Sequence, residues 1–169
     1  MKLGLDIHGV ITANPAFFAK FSNLAVEKNY DVHIITGAML TDKKIAELKR
    51  CGIVWTHLFS IADYHKKLGT PMTFSDPDNP WIEHNLWNKA KAKYCEDQNI
   101  SFHIDDTLSY GEHFKTPFAL YDHFNNRVDW HYLTKKYSAF LLNSPEDTLS
   151  NIERVVKDTL KLSLISEDK

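Results

Sequence analysis

Apolar residues gather in short runs at 3–7, 32–35, 101–104 and 118–121, and the stretches between them are longer and carry helical spacing. Runs of this length suit buried strands, and their alternation with helical segments predicts an α/β fold with a central parallel sheet and helices on both faces. A weaker strand is expected at 53–56. Thr41 or Asp42 can cap a helix carrying Ile45 and Leu48, with Gly52 as its stop. Ser144-Pro145-Glu146-Asp147 opens a last helix more clearly: serine as cap, proline in the first turn and acids on the dipole. Leu149, Ile152, Val156 and Leu160 give that helix one apolar stripe, read as core packing.

Between 59 and 87 the pattern weakens, with Gly69, Pro71, Pro77, Pro80 and the turn-forming run Ser75-Asp76-Pro77-Asp78-Asn79. The stretch is too short for a separate domain. Two readings stand: a plain surface connection, or a loop insertion that covers an active site and selects substrates through Trp55, Tyr64, His65 or Trp81. Residues 1–169 therefore read as one domain, large enough to bury a core around its sheet.

Charge narrows the partners. Lys and Arg number 20 against 22 Asp and Glu, so the net charge of -2 provides no field for a nucleic-acid polymer or an anionic membrane. No apolar run reaches membrane-spanning length, and no basic segment with an apolar core opens the chain. A soluble, cytoplasmic protein is expected. Cys51 and Cys95 lack zinc-type spacing and read as ordinary thiols in a reducing compartment.

The chemistry concentrates at strand ends. The first run leads into Asp6-Ile7-His8-Gly9-Val10, the second into Thr36-Gly37, and the third into Asp105-Asp106. Carboxylates at the carboxyl ends of parallel strands face the crevice where open α/β sheets bind ligands. These motifs resemble those of the haloacid dehalogenase-like (HAD) hydrolase superfamily, which is mostly phosphatases, and the resemblance extends over nearly the whole chain. It implies a Rossmann-like three-layer sandwich with a minimal cap or none. It also implies a magnesium-dependent phosphatase of small phosphate esters, such as a nucleotide, working through an aspartyl-phosphate on Asp6. Magnesium would be held by the Asp6 side chain, the His8 backbone carbonyl and the 105/106 pair, with Asp106 as direct ligand and Asp105 as close support. Gly9, Thr36, Gly37 and a helix lysine would bind the phosphate.

Physical chemistry supports each role. Phosphoryl transfer needs an aligned nucleophile and compensation of charge on the equatorial oxygens, and magnesium takes oxygen ligands from one or two carboxylates plus a phosphate. Lys89, Lys91 and Lys93 compete for the lysine role. At about 100° per residue, Trp87, Ala90 and Tyr94 define the buried stripe of their helix, Lys91 lies at its edge, and Lys89 and Lys93 point away, so Lys91 is the candidate. A second resemblance, at Leu120 to Arg127, is to the 5'(3')-deoxyribonucleotidase branch, and implies that Asn126 and Arg127 order active-site loops or touch substrate; an ordinary turn is the competing reading.

His8 departs from the family pattern, which has an aspartate there to protonate the leaving alcohol and activate water. Imidazole titrates near neutrality and can do such work. Its presence also opens an alternative, a catalytically weakened phosphate- or ligand-binding protein. A third reading is a zinc site built from His8, His103 and an aspartate.

Overall fold

Successive strands lie side by side because each apolar run must bury both faces. A computed structural model describes residues 1–76, 79–132 and 135–167. In chain order the elements are β1 (Lys2–Leu5), α1 (Pro15–Glu27), β2 (Asp31–Thr36), α2 (Asp42–Arg50), β3 (His57–Ser60), α3 (Ile61–Lys67), β4 (Thr73–Asp76), β5 (Asn79–Trp81) and α4 (His84–Asp97). β6 (Phe102–Asp105), α5 (Leu108–Gly111), β7 (Phe118–Asp122), β8 (Arg127–Tyr132), β9 (Lys135–Leu141) and α6 (Pro145–Glu167) follow. Seven strands form one sheet in the order β3-β2-β1-β6-β7-β8-β9, and β4 and β5 form a separate hairpin.

The first five strands of that order run parallel. Side chains alternate between faces along each strand. Leu3, Leu5, Val32, Ile34, Phe102 and Ile104 pack with Phe18 and Phe21 of α1 and Leu149 and Ile152 of α6. Ile35 and Phe118 point the other way, onto Ala92 and Cys95 of α4 and Tyr110 of α5. The result is an α/β protein with a mostly parallel sheet covered by helices on both faces, consistent with a Rossmann-like sandwich. Each fully buried Leu, Ile or Phe contributes about 1.5–3 kcal/mol relative to exposure, so these two apolar layers hold the helices more firmly than helix propensity does.

Several expectations are corrected. The two last strands are antiparallel to their neighbours. Only four residues join β7 to β8, too few for the crossover that a parallel strand needs. Strand β3 starts at His57, later than 53–56. The Val54 N–H is taken by Ser22 Oγ of α1 (3.1 Å), so the chain packs on that helix before Thr56 donates to the Val32 carbonyl (2.8 Å) and the ladder with β2 begins.

On α6 the buried face is Thr148, Leu149, Ile152, Val155 and Thr159, while Val156 is half-buried and Leu160 is exposed. Thr159 Oγ1 donates to the Val156 carbonyl (2.9 Å), which lets a hydroxyl sit in an apolar face. The 59–87 stretch is no continuous loop: it holds the end of β3, α3, the β4–β5 hairpin and the first turn of α4. Residues 77–78, within its turn-forming run, lie outside the described residues.

Candidate active site

Strand phase brings the acids together. Gly4 of β1 pairs with His103 of β6, so Asp6 and Asp105, two residues further on in each strand, project from the same face at neighbouring carboxyl ends. The Asp6 N–H donates to the Ile104 carbonyl (3.0 Å) and fixes the end of β1 against β6. Beyond it the chain makes a wide helical turn over Ile7–Ile11, within which His8 is extended and Gly9 has φ 69°. That left-handed backbone favours glycine, and a Cβ at Gly9 would meet Asp106 Oδ2 at 1.9 Å. Asp106 thus lies directly against the turn. Ligand oxygens of Asp6, Asp105 and Asp106 all fall within 4.8 Å of one another.

Lys91 reaches this cluster from α4. It is 1% exposed, and its Nζ lies 2.9 Å from Asp6 Oδ1 and 2.6 Å from Asp105 Oδ2. The buried face of α4 runs through Ala90, Lys91, Ala92 and Cys95, so Lys91 sits at its centre, where the stripe of Trp87, Ala90 and Tyr94 put it at the edge. Lys89 and Lys93 are exposed, and Lys93 pairs with Asp97 along its own helix (2.9 Å). The Tyr110 ring caps Lys91 Nζ at 4.6 Å from its centroid, and the Tyr110 hydroxyl accepts from Trp87 Nε1 (2.7 Å).

The two buried acids differ in support. Asp105 Oδ2 receives Lys91 and lies 3.2 Å from His103 Nε2, while Oδ1 accepts the Thr107 N–H (2.9 Å). Burial works to raise its pKa, but Lys91 and His103 outweigh that and hold it below the usual carboxylate range. For Asp6, complete burial and the neighbouring Asp105 charge outweigh Lys91 and the Ile7 backbone N–H, and its pKa is pushed up to about 7. Burial would discharge Lys91, yet the two carboxylates more than compensate and keep it protonated. Asp105 is therefore an anchor with its oxygens engaged, and Asp106 an exposed acid facing solvent.

Thr36 and Gly37 end β2 beside β1. Thr36 is fully buried and, among the described residues, its hydroxyl has no hydrogen-bond partner. Buried polar atoms are seldom left unpaired in native proteins. Gly37 is overlain by Trp87: a Cβ there would stand 2.8 Å from the indole Cζ2. His8 is exposed, its imidazole in the field of Lys44 and Glu47 of α2, Lys91 and Asp106. Its pKa is lowered, chiefly by partial burial and then by Lys44 and Lys91.

The remaining candidates fall elsewhere. Asn126 adopts φ 46° in the β7–β8 turn, accepts from the Tyr121 hydroxyl (3.1 Å) and donates to the Leu142 carbonyl, and Arg127 pairs with Asp129 (2.7 Å). These contacts describe an ordered turn. Trp55 packs against the main core, His65 is buried with Nδ1 against Thr70 Oγ1 (3.0 Å), Tyr64 leans on Phe59, and Trp81 lines a cavity. The zinc grouping is not assembled, because His103 is buried behind Asp105 and the metal-capable group among the described residues is the three aspartates.

Sequence reading missed Tyr110 and Trp87 as site residues, and took His103 only as a zinc ligand and not as the partner of Asp105. The phase of β6 carried a signal for the role of His103, since a residue two before a functional strand-end acid shares its face. A histidine there can be core or ligand with equal ease, and the partners of the two aromatics come from separate helices. Fold and site together define a mostly parallel α/β protein with a buried lysine–aspartate cluster at its carboxyl edge. A scan against protein-family models and searches of curated proteins and of solved structures give no match to this chain.

Proposed function

We propose that the protein is a magnesium-dependent hydrolase of the HAD-like kind, a phosphatase of small phosphate esters such as a nucleotide, acting in the cytoplasm. The observation that carries this reading is the buried ion pair between Lys91 and Asp6, set beside Asp105 and Asp106 and the hydroxyl of Thr36, which has no partner among the described residues. A lone buried carboxylate is costly, and a lysine held on two of them is a structure that needs a reason.

The donor set suits magnesium: among the described residues the metal-capable group is three carboxylates, and the nearby His103 imidazole is turned onto Asp105. Asp6, Asp106 and the His8 carbonyl would hold the ion, which when bound supplies positive charge toward the phosphate. Asp6 attacks phosphorus, the ester oxygen departs with its bonding pair, and an aspartyl-phosphate forms. Lys91 and Thr36 face the equatorial oxygens and stabilise their charge. Water then attacks phosphorus, releasing phosphate and restoring the Asp6 carboxylate. His8 is the group in reach of solvent that can give the departing oxygen a proton and take one from water. Its pKa is lowered by partial burial and by Lys44 and Lys91, which leaves less of the protonated form than an ordinary imidazole would have and weakens its part as donor.

That weakness favours the second reading, a phosphate- or ligand-binding protein with reduced turnover. A screen of generic phosphate esters and nucleoside monophosphates, with and without magnesium, separates the two. Magnesium-dependent release of phosphate that is lost in Asp6→Asn supports the phosphatase; tight phosphate binding without turnover supports the alternative. Calorimetry should show magnesium binding that Asp106→Asn largely abolishes, and unchanged affinity in that variant rejects the metal assignment.

A further inference from the structure

On the phosphate-ester reading above, we propose that the cavity beside Trp87 seats the leaving group of the substrate, and that this group is a planar aromatic ring. The cavity measures about 270 Å³ and is lined by Pro80, Trp81, Ile82, His84 and Trp87. Among the described residues no Asp, Glu, Lys or Arg lines it, so it suits an uncharged, flat group better than a phosphate. Sites for whole small molecules occupy about 300–1,000 Å³, so this one takes a ring system while the charged remainder of the ligand sits outside.

Continuity with the acids runs through one side chain. Trp87 is a wall of the cavity, and its Cζ2 edge lies over Gly37, next to Thr36 at the end of β2. The same indole donates to the Tyr110 hydroxyl, whose ring caps Lys91. Trp87 and Lys91 are four residues apart on α4, hence on one face of that helix. On this proposal a molecule with its phosphate at Lys91 and Thr36 extends past Trp87 into the cavity.

The outer wall has the form of a stacking platform. Trp81 is 61% exposed and stacks on His84, with ring centroids 5.8 Å apart and planes 28° from parallel. Phe74, on the partner strand of the same hairpin, is also exposed. Large aromatic surface left in water is unfavourable, and an aromatic ligand between Trp81 and Trp87 would cover it with the offset stacking that such rings prefer.

The test is calorimetric titration of the full chain, with magnesium present, using 1-naphthylmethylphosphonate and methylphosphonate, neither of which can be hydrolysed as a phosphate ester. The aromatic probe should bind at least about tenfold more tightly, and Trp81→Ala should bring the ratio of the two affinities close to one. Lys91→Ala should weaken both probes. Equal affinity of the two probes for the unmodified protein, or a ratio unmoved by Trp81→Ala, overturns the aromatic subsite and leaves the phosphate site standing. Naphthylmethanol binding as tightly as its phosphonate also overturns the proposal, since the cavity would then be independent of the acids. Binding of neither phosphonate removes the phosphate-ester reading itself, and this inference with it.

Discussion

Lys91 is the residue on which the cluster depends. Without its ammonium, Asp6 and Asp105 would face one another in a buried site, and removal of one partner from a buried ion pair typically costs about 3–5 kcal/mol. Urea denaturation of Lys91→Met should show a loss of that order, whereas Lys89→Ala and Lys93→Ala, both at exposed positions, should stay within about 0.5 kcal/mol. Comparable losses in all three would contradict the phase of α4.

Asp6 should leave a mark on the pH dependence of stability. Its folded pKa of about 7 lies above the ordinary 3.8, so the native state binds this proton more tightly than the unfolded chain. The contribution of the group to stability is therefore fullest below about pH 3.8 and declines as pH rises toward 7. Asp6→Asn cannot ionise. Its stability relative to the unmodified protein should rise across that window and level off above it, and a difference constant with pH would contradict the raised value.

His8 makes an equally specific prediction. Burial, Lys44 and Lys91 disfavour the protonated form of His8, so if the histidine is idle His8→Asp should raise turnover of esters with poor leaving groups by up to the roughly 10²–10⁴-fold that general acid catalysis provides. Activated esters, whose leaving groups need no proton, should change much less. A fall in activity with an acid-shifted pH optimum would mean that histidine is already the working acid.

At the scale of elements, the buried strands could be read because each is a short apolar run, and the caps because Thr41 and Ser144 bond the Lys44 (3.4 Å) and Asp147 (3.0 Å) N–H groups in their first turns. What escaped reading depended on partners distant in sequence. The 53–56 segment looks like a strand until α1 claims Val54 through Ser22. The face of α6 is rotated by about one residue from its apolar stripe because Thr148 and Thr159 are buried in it, and counting apolar residues alone misses them. Ile152→Ala should accordingly cost about 2–5 kcal/mol by cavity formation. Leu160→Ala, at a position 62% exposed, should cost little, and equal losses in thermal unfolding would contradict the observed face.

At the scale of the whole molecule, strand order decides what the site contains. Placing β1 between β2 and β6 puts Thr36 on one side of Asp6 and Asp105 with Asp106 on the other, and the alternation that buries Leu5 and Ile104 on one face turns both acids to the face where α4 brings Lys91. The acids and the lysine were legible because strand ends and helix phase are local properties. The parts played by Tyr110 and Trp87, and that of His103 as partner of Asp105 in place of a zinc ligand, were not, because they arise only when α4, α5 and β6 pack together. The central claim is that Asp6 is a covalent nucleophile. Borohydride reduces an aspartyl-phosphate to homoserine, so turnover in the presence of magnesium, followed by reduction and mass analysis of the peptide carrying residue 6, tests it directly. Homoserine at position 6 that requires both substrate and magnesium is the expected result; phosphate release with position 6 left as aspartate would contradict it.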